Sequence, residues 1–101
     1  MALPTYPMPT PPPRRPQIKS LSQGSYTTLG GVLVVTVETA MPDATVQIDG
    51  ADVAADNSID STYRGSIITA VPPGLDIGDH LITVTDAGGV SDAMQFFVAI
   101  P

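Results

Sequence analysis

Seven of the eleven prolines fall within the first sixteen residues, which read MALPTYPMPTPPPRRP. Each proline fixes φ near about −65° and removes a backbone donor, so this stretch can enter neither a helix interior nor a central strand. It reads as an extended, largely polyproline II arm, free in solution unless a neighbour orders it. At roughly 3.1 Å per residue it can reach roughly 50 Å. Leu3, Tyr6 and Met8 are its few apolar side chains, too few for a core of their own. The chain therefore divides into an arm, residues 1–16, and a body, residues 17–101. With 101 residues in all, the body is one small domain.

Charge follows the same division. Residues 1–37 hold Arg14, Arg15 and Lys19 and no acid, whereas residues 38–101 hold Arg64 and all ten acids. A basic end thus adjoins an acidic body, an asymmetry that marks a segment with its own interaction role. Four basic side chains against a net charge of −6 predict no nucleic-acid partner, because few phosphates could be neutralised. Cysteine is absent, which excludes a disulfide framework and a thiolate metal site. No apolar run approaches the length of a membrane span or a signal-peptide core, which predicts no membrane partner and synthesis in a host cytoplasm without a signal peptide.

From Gln17 the texture changes to short β-branched runs broken by Gly, Pro and Asp-Gly. Gln17–Ser22 is a first strand with Ile18 and Leu21 inward. Val32–Thr39 places Leu33, Val35 and Val37 on the core side and Thr36 and Glu38 outside. Ala44–Asp49 puts Val46 and Ile48 inward and ends in the Asp49-Gly50 turn. Ala51–Ala55 reads as a short edge strand, and Ser66–Val71 stops at Pro72-Pro73-Gly74. His80–Thr85 sets His80, Ile82 and Val84 on one side. Ser91–Ile100 sets Met94, Phe96, Val98 and Ile100 on one face and leaves Phe97 outside, as a contact residue. No stretch of ten or more residues has helical periodicity. The pattern predicts an all-β protein, an antiparallel β-sandwich.

Four pieces then stand in order: Pro16-Gln17-Ile18 with Gly30-Gly31, ATVQIDG at 44–50, ITAVPPG at 68–74, and HLITVTDAGGVSDAMQFFV at 80–98. Together they resemble the IPT/TIG family of immunoglobulin-like domains, over about Pro16 to Pro101. The pattern departs at Glu38–Met41 and near Ser22. The resemblance implies an immunoglobulin-like sandwich and no single function. Members of that family occur in receptors, transcription factors, polysaccharide enzymes, surface proteins and the virions of tailed phages.

Little in the chain suggests chemistry. His80, the single histidine, sits at an inward strand position and reads as a satisfied core or sheet-end residue. No serine lies in a G-x-S-x-G elbow. Asp49, Asp52, Asp56 and Asp60 lack the D-x-D-x-D-G spacing of a calcium loop and read as solvated turn and edge acids. Pro9-x-x-Pro12-x-Arg14 matches a short SH3-ligand pattern that Pro/Arg-rich composition produces by itself. No catalytic residue, metal or cofactor is expected.

These features lead to a non-enzymatic structural protein of a large assembly. The Met-Ala start and the closing last strand read as a whole small gene product. The most concrete version is a phage capsid decoration or cement protein on the capsid surface. Its partner is the major capsid protein or another virion protein, with homo-oligomerisation also open. Partner contacts are expected from Leu3, Tyr6, Met8, Arg14, Arg15 and Lys19 of the basic end, and more weakly from Phe97 of the body. The alternatives are a cell-surface or polysaccharide-binding module, using Tyr26, Tyr63 or Phe97 as platforms, or a tail or head–tail joining protein of a virion.

Overall fold

The structure, a computed structural model, describes residues 15–101. All regular elements among them are strands: β1 (Gln17–Leu21), β2 (Ser25–Thr27), β3 (Gly31–Glu38), β4 (Thr45–Ile48), β5 (Ala51–Val53), β6 (Ala55–Ile59), β7 (Gly65–Val71), β8 (Gly78–Asp86), β9 (Gly89–Val90) and β10 (Met94–Ala99). They form two sheets. The first has the order β1-β3-β7-β6, and the second β2-β10-β8-β4-β5, with β9 paired to β8.

The alternation read from the sequence sets the inner faces. On β3, Leu33, Val35 and Val37 are buried, and on β7 so are Ile67 and Val71. Facing them from the second sheet are Val46 and Ile48 of β4, Ile82 and Val84 of β8, and Phe96 and Val98 of β10. These side chains belong to one continuous apolar cluster, with Ile18, Leu21 and Met94 packed at its margin. Burying each large aliphatic or aromatic side chain contributes about 1.5–3 kcal/mol before the entropy of ordering is subtracted.

Turn chemistry fixes the register. Asp49 and Gly50 both have positive φ, 52° and 83°, the type I′ geometry whose twist matches a two-residue hairpin. Ile48 accordingly pairs with Ala51 across it. At Gly65 the first residue of β7 lies so close to β6 that a Cβ would overlap the Ser58 carbonyl oxygen, so only glycine fits.

The structure corrects the sequence reading in five places. Ala51–Ala55 is not one edge strand: the chain leaves the second sheet after Val53 and joins the first at Ala55. Thr69 Oγ1 donates to the Ala54 carbonyl oxygen at 2.5 Å, satisfying the crossover residue. β2 was not foreseen, because three residues with one apolar side chain carry no period. It runs parallel to β10, so the sheets are not wholly antiparallel. Tyr26 on β2 is buried and cannot serve as a glycan platform. Its ring meets Phe96 edge-on with centroids 6.0 Å apart, and its hydroxyl donates to the Val32 carbonyl oxygen at 3.0 Å. Ser91–Ile100 is interrupted at 91–93, where buried Ser91 Oγ accepts from the Val84 N–H at 2.9 Å. Ile100, expected inward, is 73% exposed, because β10 ends at Ala99.

Candidate functional site

The described part of the basic end leads into β1. Pro16, placed with the arm by its composition, is fully buried and anchors the chain in the body. Arg15 lies just outside, with Nη1 3.3 Å from Asp92 Oδ1. Its aliphatic stem passes over Gly89. Between β1 and the segment entering β10 lies a surface cleft of about 410 Å³, with Arg15 to Lys19 on one wall and Asp92 to Met94 on the other. Ile18 and Met94 contribute apolar floor, since both pack on the core.

Lys19 occupies a bulge: the β1–β3 register shifts between Ile18 and Ser20. An extra residue at an edge strand twists it and re-aims a side chain. Here it brings Lys19 Nζ within 3.5 Å of Glu38 Oε2. Of the three expected contact cations, Arg15 and Lys19 are thus engaged by acids of their own body. The pairs are open to water, with Arg15 and Asp92 side chains 62% and 89% exposed. Such pairs contribute at most about 1 kcal/mol each. Leu3, Tyr6, Met8 and Arg14 lie outside the described residues.

Phe97 is on the outer face of the second sheet, 43% exposed, opposite Asp79 on β8 and Ser25 on β2. Tyr63 is 51% exposed with φ of 63°, in the loop joining β6 and β7 of the first sheet. Asp60 fixes that loop by accepting from the Thr62 and Arg64 N–H groups at 2.8 and 3.2 Å. These bonds to the charged carboxylate, led by that from the Thr62 hydroxyl, hold Asp60 below its ordinary pKa. Tyr63 and Phe97 therefore belong to different sheets and form no common aromatic platform.

Elsewhere on the outer face of the second sheet, Gln47 organises a polar ladder. Its Nε2 donates to Thr45 Oγ1 and Asp52 Oδ1 at 2.9 and 3.0 Å, and its Oε1 accepts from Thr85 Oγ1 at 2.7 Å. Asp52 is committed to this ladder, Asp49 to His80, Asp60 to its own loop, and Asp56 sits on β6 of the other sheet. The four acids are dispersed, and no group of three potential ligands converges among the described residues.

His80 is buried in the second sheet, and both ring nitrogens face oxygen. Nδ1 meets the Asp49 carboxylate, and Nε2 lies 2.6 Å from the Asp76 carbonyl oxygen. The ring stacks on Phe96 at 5.6 Å. The imidazolium satisfies both contacts as a donor, so the Asp49 hydrogen bond, then that to Asp76, raises the His80 pKa above its ordinary value. Asp49 is lowered in turn, first by His80 and then by the Leu81 N–H. A ring with both nitrogens occupied ties the turn after β4 to the loop before β8. It is a structural clasp, as its inward position in the sequence suggested.

One apolar surface was not foreseen from the sequence. On the outer face of the first sheet, Val32 pairs with Ala70 and Val34 with Ile68. Val32 and Ile68 are 68% and 47% exposed. The signal was present in VLVVTV, which is apolar at both parities and so places apolar side chains on the outer face as well.

No protein-family model matches the chain, and no curated protein matches it in sequence.

Proposed function

We propose that the chain is a non-enzymatic structural protein of a large assembly, an immunoglobulin-like module attached through its proline-rich basic arm. Its most concrete form is a capsid decoration or cement protein of a tailed phage. The strand order supports the immunoglobulin-like part. Two sheets of short strands packed over a core of alternating inward residues are the architecture of such folds. Here β1 edges the first sheet and β2 runs parallel to β10 in the second.

The observation that carries the functional part is the root of the arm. Buried Pro16 fixes the point where residues 1–14 join the body, beside a cleft whose ion pairs are exposed. A segment tethered rigidly at one end and rich in proline loses little entropy on docking. Repeated copies on a shell turn modest contacts into lasting attachment. The cleft walls offer ion pairs and apolar contacts, which suit binding rather than bond-making.

Deleting residues 1–14 tests this reading. The truncated protein retains the body's fold, read from the single histidine resonance, and loses attachment to the native particle. Attachment undiminished by the deletion overturns it.

A further inference from the structure

We infer that the outer face of the first sheet is a docking surface for residues 1–14 of a second copy of this chain. The inference rests on the reading of the arm as a docking segment and names one partner for it.

The receptor is the apolar patch of Val32, Val34, Ile68 and Ala70 on the paired strands β3 and β7. Val32, Ile68 and Ala70 are exposed and Val34 is half-buried. Sheet faces turned to water normally alternate to polar residues, and such a contiguous apolar patch marks an interaction site. Asp56 sits directly beside Ile68 in the register, giving the patch an acidic rim.

Three observations choose the occupant. The first is size. Stable contacts between two rigid faces take about 20–30 residues a side, and four side chains fall far short, so the patch suits a short segment and not a second body. The second is charge. Residues 15–101 hold three cations and ten acids, so two bodies placed face to face repel, whereas residues 1–14 hold Arg14 and no acid. Leu3, Tyr6 and Met8 match the patch and Arg14 its rim. The third is direction. Arg15 is drawn to Asp92, beside the second sheet, away from the patch. The segment therefore reaches a neighbour more readily than its own body. Because arm and patch are different surfaces, reciprocal exchange closes a dimer, whereas one-way exchange propagates into rings or open chains.

The test uses the full chain in analytical ultracentrifugation at concentrations up to about 1 mM. The wild type self-associates. A face variant, Val32→Lys with Ile68→Lys, is monomeric, as is an arm variant, Leu3→Ser with Tyr6→Ser and Met8→Ser. Mixing the two variants restores one-to-one dimers, since the intact arm of the first meets the intact face of the second. Wild type that stays monomeric, an arm variant that still associates, or a mixture without dimers overturns the inference. A monomeric wild type that still attaches to a particle through its arm leaves the assembly reading standing and removes only this partner.

Discussion

Raising the pH from 6 to 9 should cost the body several degrees of thermal stability, through His80 alone. Its imidazolium donates to the Asp49 carboxylate and the Asp76 carbonyl oxygen, and both contacts raise its folded pKa above the ordinary 6.5. The clasp therefore contributes its full stability below about pH 6.5 and loses it as pH rises through the folded value. Asp49 behaves in the opposite sense. Its folded pKa is lowered from 3.8, so its contribution is present above that value and lost as pH falls through the folded one. Both contributions are complete together only between about pH 4 and 6.5. A hydrogen bond to a charged group contributes about 1.5–3 kcal/mol. The Asp49 side chain is 45% exposed, and solvent screening reduces this to about 1 kcal/mol. In a body of this size that corresponds to a shift of about 4–8 °C in Tm. Because the chain has one histidine, NMR titration of the imidazole reads its pKa without ambiguity, and calorimetry across the same range reads the stability. Asp49→Asn should lower the histidine pKa and flatten the stability profile above pH 6. A wild-type pKa at or below 6.5, or an unchanged profile in Asp49→Asn, would refute the reasoning.

Other substitutions separate core from surface. Phe96→Ala removes the ring that Tyr26 and His80 both touch and should cost about 3–5 kcal/mol in denaturant unfolding. Gly65→Ala places a Cβ against the Ser58 carbonyl oxygen and should destabilise the body clearly, whereas Gly50→Ala, at φ of 83° with open space around it, should cost only about 1–2 kcal/mol. Arg15→Ala should change thermal stability by less than about 1 kcal/mol, because its pair with Asp92 is exposed. Any larger effect of that substitution on particle attachment then reports docking and not folding.

The inner faces were legible because alternation is a strong signal. Leu33, Val35, Val37, Val46, Ile48, Ile82, Val84, Phe96 and Val98 all stand where period two places them, and all are buried. The elements that escaped are those whose identity depends on a distant partner. β2 has one apolar residue and exists because β10 offers it the edge at Phe97–Ala99. β6, reading ADNSI, is polar and pairs through backbone contacts with β7, while Asn57 Nδ2 donates to the Pro42 and Ala44 carbonyl oxygens at 2.8 and 2.7 Å. Neither strand has a pattern that local propensity could reveal. At the candidate site, the basic residues were evident from charge alone. Their acids, Asp92 and Glu38, were not, since a bulge and a long separation in sequence decide which carboxylate each cation meets. The apolar patch on the first sheet was written in VLVVTV, but only the pairing of β3 with β7 shows that its second parity gathers Val34 beside Ile68.

Membership of a large assembly is the proposal on which the reading of the arm depends. Its most direct test is a density gradient of the native source material, with mass spectrometry of each fraction for this chain. As a member of such an assembly, the chain should sediment with particles of virion size, in fixed proportion to the major shell protein. A chain found only at the top of the gradient, as a small free species, would contradict it.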